Sequence, residues 1–274
     1  MAVYGVVADI HGNLEALEAA LAALEARGVR RIVCLGDLVG YNADSDAVVR
    51  VLRERGAECI AGNHELIGIG RLGTGKCNDA TAYALLRTRR TLAPETRAFL
   101  AALPASRVLE GRFALVHGGV DDPEQYLRSP AAVLDNAARL ARRFPGVSVC
   151  FFGHTHEPGV FAVERGAVRR IAGVDAARLA PGPVYFVNPG SVDAARKRDA
   201  AAGAVRAAEF AVLDSGALRV EFHRAAYDHA AAEAKALAGG YRMSRARARW
   251  MRLGRRVRSA AARLAAPIAR EDAA

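Results

Sequence analysis

"CFFGHTHEPG", Cys150 to Gly159, sets an apolar run against two histidines one residue apart, His154 and His156. A single histidine beside a core is ordinarily a hydrogen-bonded passenger. Two in alternation are less ordinary, because residues i and i+2 of an extended chain point to one side. If the strand geometry persists past Gly153, both imidazoles present nitrogen to one place. Neutral imidazole is a common metal ligand, so other ligands are sought at the same place.

The same punctuation recurs along the chain. "VVADIHGN" ends with Asp9 and His11, and "VCLGDLVGYN" with Asp37. "CIAGNHE" ends with Asn63, His64 and Glu65, and "FALVHGG" with His117. Five of the seven histidines stand at these ends; His223 and His229 lie elsewhere. In open α/β sheets ligands bind beyond the carboxyl ends of strands, and glycine there admits close backbone approach. The donor set mixes imidazole, carboxylate and one amide, with no thiolate. Closed structural zinc sites favour cysteine, whereas this set suits one or two divalent ions such as Mn, Fe, Co, Ni or Zn. The candidates are too many for one tetrahedral ion, and Asp37, a lone carboxylate between two clusters, is the natural bridge.

Between these ends the pattern alternates strand and helix. "VYGVVAD" reads as a buried strand. "NLEALEAALAALEARG" reads as a helix capped by Asn13, stopped at Gly28, with Leu14, Leu17, Leu21 and Leu24 on one face. "RIVCLGD" and "AECIAGN" read as strands flanking a second helix that ends at Gly56. Helical pattern runs from Asn78 to Leu103 with a break near Pro94, and another helix starts at Ser129-Pro130. Hairpins are expected at Glu110-Gly111, Arg165-Gly166 and Ser215-Gly216. The fold class is therefore α/β, a mainly parallel or mixed sheet covered by helices, with more antiparallel strands in the second half.

The 274 residues suffice for one large domain or two small ones. No run of about 18 apolar residues occurs, so no membrane span is expected. The opening "MAVYGVVADIHGN" lacks a basic lead, which argues against a secretory leader. Cysteines 34, 59, 77 and 150 form no C-x-x-C, and a reducing cytoplasm is expected. The net charge of +10 is concentrated at one end: from Tyr241 onward ten arginines face only Glu271 and Asp272.

In order, D-x-H, G-D-x-V, G-N-H-E, V-H-G and G-H-T-H resemble the motif series of the calcineurin-like metallophosphoesterases, from Met1 to about Arg224. "NPGS", Asn188 to Ser191, is similar to that family's loop after a last core strand. The resemblance implies a four-layer αββα sandwich of two mixed sheets flanked by helices. It implies that Asp9, His11, Asp37 and His156 bind one metal, and Asp37, Asn63, His117 and His154 a second. The cofactors would be two divalent ions, of Mn, Fe, Ni or Zn. Hydroxide held between them would attack phosphorus, and His64 would protonate the leaving group. The second block here reads "GDLVGYN", so Gly40 and Tyr41 stand where the protein Ser/Thr phosphatases have an acid and an arginine. That leaves the orienting partner of His64 unassigned. It points to a bacterial and archaeal G-D-x-V-G-Y branch and to phosphodiesters, cyclic nucleotides among them. Phosphomonoesterase or protein phosphatase activity is the alternative, and a non-catalytic binding protein using its arginine-rich tail the contrasting class.

Substrate contact is expected from Asn63, His64 and Arg196, with Lys197, Arg198 and Arg71 weaker candidates for phosphate. "GIGRLG", Gly68 to Gly73, fits a dinucleotide fingerprint but lacks the strand-to-helix setting that motif requires, and reads as a rim loop. The domain reading is a catalytic unit over 1–225 and a basic helical extension over 226–274. Within the extension, Met243, Trp250, Val257 and Leu264 recur every seven residues. Such an amphipathic helix, at 241–270, could dock on the body or a second subunit as a homo-oligomer, or meet anionic lipid or RNA.

Overall fold

The computed structural model describes residues 2–171, 175–193 and 206–244. Arg196, Lys197, Arg198 and the heptad positions beyond Ser244 lie outside the described residues.

Two six-stranded mixed sheets form the centre. The first contains β1 (Val3–Val7), β2 (Arg31–Cys34), β3 (Glu58–Cys59), β9 (Ala176–Arg178), β11 (Ala207–Asp214) and β12 (Arg219–Ala226), in the order β3-β2-β1-β11-β12-β9. The second contains β4 (Arg107–Leu109), β5 (Phe113–Leu115), β6 (Val149–Phe151), β7 (Gly159–Glu164), β8 (Ala167–Ile171) and β10 (Val184–Asn188), in the order β4-β5-β6-β10-β7-β8. Pairing is parallel among β1, β2 and β3 and among β5, β6 and β10, and antiparallel elsewhere.

Alternation along the strands builds the layers. Tyr4, Val6 and Ala8 face the second sheet, meeting Phe113, Leu115, Phe151 and Val187 in one apolar cluster. Val7 faces the other way, onto Leu17, Leu21 and Leu24 of α1 (Leu14–Glu25). On the far side Ala114, Cys150, Phe152 and Phe186 pack against Val133 and Leu140 of α6 (Pro130–Arg143). Three apolar interfaces separate four layers, which is the αββα sandwich. Each of Leu17, Leu21 and Leu24 is buried, worth roughly 1.5–3 kcal/mol apiece.

Local signals formed as read. Asn13 accepts from Ala16 N at the start of α1, and Gly28 follows its end at φ +72°. α2 (Ser45–Glu54), α4 (Asp79–Thr91) and α5 (Pro94–Ala102) follow the sequence pattern, with Pro94 opening α5. Glu110-Gly111 and Arg165-Gly166 both have positive φ, which right-twisted hairpin turns require. The block "GNHE" differs. The expected third strand is only two residues long, and Asn63 opens a short helix, α3 (Asn63–Gly68), whose C-terminal turn carries "GIGRLG". Glu65 at its third position bonds Gly62 N at 2.7 Å, so the helix is nucleated by that acceptor. The last described helix, α7 (His229–Ala238), follows β12, and its Lys235 pairs with Glu15 of α1 at 2.6 Å.

Candidate metal centre

The parallel strands of both sheets end at the same rim. β1 leads to Asp9 and His11, β2 to Asp37, and β3 to Asn63 and His64. β5 leads to His117, β6 to His154 and His156, and β10 to Asn188. Backbone bonds zip the loops together: Ile10 N and His11 N both donate to Asp37 O (2.9 and 2.8 Å), and Gly153 N donates to His117 O (2.7 Å). Asp9, His11, Asp37, Asn63, His64 and His117 are all buried.

Five of these residues have left-handed backbone: Asp9 (φ 55°), His11 (54°), Asp37 (54°), His154 (62°) and His156 (56°). The other described non-glycine residues of this kind, Glu110, Arg165 and Leu218, belong to hairpin connections. A left-handed non-glycine residue costs roughly 1–3 kcal/mol, and such strain clusters at functional sites. The finding corrects the reading of "GHTH". β6 stops at Phe151, so His154 and His156 share no strand face. They join separate groups, His156 with Asp9 and His11, His154 with Asp37 and His117.

Asp37 is central. His64 N donates to its Oδ1 at 2.9 Å, leaving Oδ2 to face imidazoles. Oδ2 lies 3.3 Å from His117 Nε2, 3.7 Å from His64 Nε2 and 4.0 Å from His11 Nε2. His117 Nδ1 is 2.8 Å from Leu35 O, an acceptor, which places a proton on Nδ1 and orients the ring so that Nε2 faces Asp37 and Asn63 Oδ1 (3.0 Å). On the other side His11 Nε2 and His156 Nε2 face each other at 3.1 Å, and His156 Nε2 is 3.5 Å from Asp9 Oδ1. Two imidazole nitrogens and a carboxylate converging on one point would fit a shared divalent cation. The residues therefore fit divalent ions, by donor type and by convergence.

Burial favours the neutral form of His11 and His154, while carboxylate charge acts the other way on His117 and His156. Burial, then the neighbouring His64, hold His11 well below the usual imidazole range. Burial first, then His117, lower His154 to about 4. Burial would raise Asp37, but the surrounding imidazoles, His117 foremost, hold it well below the carboxylate range. Burial opposes charge on His117, yet the Asp37 carboxylate outweighs it and pulls His117 up to about 10.

The orienting partner of His64 is a backbone group. Its Nδ1 lies 3.1 Å from Val39 O, a carbonyl that fills the role left unassigned by the sequence, and 3.1 Å from His11 Nδ1. Gly40 has φ +141°, and a Cβ there would fall on His64 Nδ1. Glycine at this position is thus what lets the ring sit against the loop. Tyr41 packs its ring 4.4 Å from His11 and 4.8 Å from His64, centroid to centroid. Arg71 donates to Ala101 O at 3.0 Å.

Sequence reasoning gave no role to Glu65, although it ends the quoted block. Its buried carboxylate accepts from Asp37 N (2.7 Å), Gly62 N (2.7 Å) and Val39 N (3.1 Å). Burial, then the Asp37 charge, push it up to about 7, against those donors. Tyr126 and Arg128 were also unread, lying in the loop after β5 with no strand-end signal. Tyr126 stacks on His154 at 4.1 Å, and Arg128 donates to Thr155 O at 3.1 Å.

Known proteins share this fold. The sequence profile of the calcineurin-like phosphoesterase superfamily domain matches residues 1–210. The chain is similar to a crystal structure of a metallophosphoesterase from Sphaerobacter thermophilus, 30% identical, covering 87% of this chain and 94% of that one, with TM-score 0.69. A hypothetical protein from Pyrococcus horikoshii shares the fold at 21% identity, covering 85% of this chain and 92% of that one, with TM-score 0.61. An uncharacterized protein of Methanocaldococcus jannaschii is 29% identical over 226 residues, 81% of this chain and 87% of its own. The fold is that of a metallophosphoesterase. The chain belongs to the calcineurin-like phosphoesterase superfamily, and membership implies a metal-dependent phosphoester hydrolase. No described helix is long and apolar enough to cross a membrane.

Proposed function

We propose that the protein is a dinuclear metal-dependent phosphodiesterase, with cyclic nucleotides among its candidate substrates. Asp9, His11, His156 and Asp37 would hold one ion, and Asp37, Asn63, His117 and His154 the other. Mn, Fe, Ni and Zn suit these donors. Such ions supply Lewis acidity toward a phosphoryl group and make water nucleophilic at neutral pH. The observation that carries the reading is the single Asp37 oxygen, 3.3 Å from a histidine of one group and 4.0 Å from a histidine of the other.

The chain's own residues then position and protonate. His64 N holds Asp37 Oδ1, so the shared carboxylate cannot rotate freely. Val39 O accepts a hydrogen bond from His64 Nδ1, so Nε2 would donate to the departing oxygen from the imidazolium form, which burial opposes and the Asp37 charge favours, a contribution of about 10²–10⁴-fold. Asn63 and His64 would contact substrate. Tyr41 packs its ring against His11 and His64.

Tyr41 also favours diesters. A phosphomonoester brings about one more negative charge than a diester, and position 41 supplies an aromatic ring rather than a guanidinium. The test is a metal-reconstituted screen on bis-aryl phosphate, aryl phosphate, and 2′,3′- and 3′,5′-cyclic nucleotides. Diester turnover exceeding monoester turnover is expected. Faster monoester hydrolysis reverses the preference, and no hydrolysis with metals bound returns the chain to the binding-protein class.

We further propose a catalytic unit over 1–225, an extension over 226–274, and a cytoplasmic location, which the four free cysteines support. Arg196 remains a proposed phosphate contact, and lipid or RNA binding a proposed property of the basic 241–270 segment.

A further inference from the structure

The family match ends at residue 210, yet the chain after it returns to the catalytic rim. Arg242 Nη1 donates to Tyr41 O at 2.8 Å and Nη2 to Asn42 Oδ1 at 2.9 Å. Its Nε is held by Glu233 Oε1 at 2.8 Å, so the fork is anchored from α7. Asn42 in turn donates from N and Nδ2 to His11 O, at 2.9 and 3.2 Å. One guanidinium therefore grips the residue whose ring lies on His11 and His64 and the residue that ties down the His11 backbone. The segment is itself docked. Tyr241 Oη meets Thr91 Oγ1 at 2.8 Å, Arg87 Nε donates to Gly239 O at 3.0 Å, and Lys235 pairs with Glu15 and Asp44. The gripped loop contains Gly40, a permissive hinge next to His64.

We propose that Arg242 is a positioning residue, locking the Gly40–Asn42 loop so that Tyr41 and Asn42 hold His64 and His11 in place; the inference rests on the site reading above. Arginine suits this role because its planar fork reaches a carbonyl, an amide and a carboxylate together. Lysine cannot span all three.

The test uses the full chain as wild type, Arg242→Gln and Arg242→Lys. Histidine ring ¹⁵N–¹H spectra of metal-free protein report ring position without any need for turnover. The expected result is that Arg242→Gln shifts the His11 and His64 signals and leaves His223 unmoved, with Arg242→Lys between. With metals loaded, turnover of an alkyl phosphodiester should fall about tenfold more than that of an aryl one, at unchanged KM. Unchanged His11 and His64 signals overturn the proposal. So does an equal loss on both esters in step with a lowered melting temperature, which marks a merely structural role. If wild type cleaves no ester, the site reading fails and the ring spectra alone decide the clamp. If Arg242→Gln does not fold, the same readouts on Arg242→Lys decide it.

Discussion

Replacing Glu65 should damage the site from below. Its carboxylate is completely buried and accepts three backbone N–H groups, from Asp37, Val39 and Gly62. Glu65→Ala orphans all three donors. A buried donor without a partner costs roughly 1–3 kcal/mol, so the three together cost roughly 3–6 kcal/mol after allowing for relaxation. Glu65→Gln is the gentler probe. Its carbonyl can keep the Oε2 role, serving Asp37 N and Gly62 N, but its amide then meets Val39 N as donor against donor. Loss of that one bond costs roughly 1–3 kcal/mol. At roughly 2–4 °C per kcal/mol for a chain approaching this size, Glu65→Gln should melt about 2–12 °C lower. The left-handed backbone of Asp37 is held by one of these bonds, so metal content should fall as well. Thermal melts of metal-free protein and elemental analysis of reconstituted protein read the two effects separately. A Glu65→Ala protein with wild-type melting and full metal content would show that Glu65 does not brace the centre.

Three further outcomes are expected. Asp37→Asn should empty at least one metal position by elemental analysis; full occupancy would count against a shared carboxylate. His64→Ala should retain metal yet lose about 10²–10⁴-fold turnover on alkyl esters and far less on activated aryl esters, and equal turnover on alkyl esters would remove His64 from proton donation. Chelation should lower the melting temperature: ions present at 100 times their dissociation constant add about 2.7 kcal/mol, or roughly 5–10 °C here, and an unmoved melt would argue that nothing binds at the rim.

What could be read from the chain, and what could not, follows from the range of the forces involved. Helix and hairpin boundaries were legible because their causes are local. Asn13, Gly28, Pro94, Ser129 and the Glu110-Gly111 turn act within a few residues of themselves. The donor residues were legible because polar side chains ending apolar runs are conspicuous, and their order matched a known family. Their partition into two groups was implied by the family resemblance but not by the residue pattern itself. It depends on left-handed backbone at His154 and His156, which the surrounding loops impose and alternation would not suggest. The roles of Glu65, Val39 and Arg242 were hidden for a related reason. They act through backbone donors and acceptors, or across 200 positions of chain, and such contacts exist only once the two sheets have set the rim. The sequence by itself determined which side chains stand at the strand ends and what chemistry they can do. The tertiary structure alone decided which of them meet and what holds them, because convergence of groups from five strand ends is a property of packing and not of any one segment.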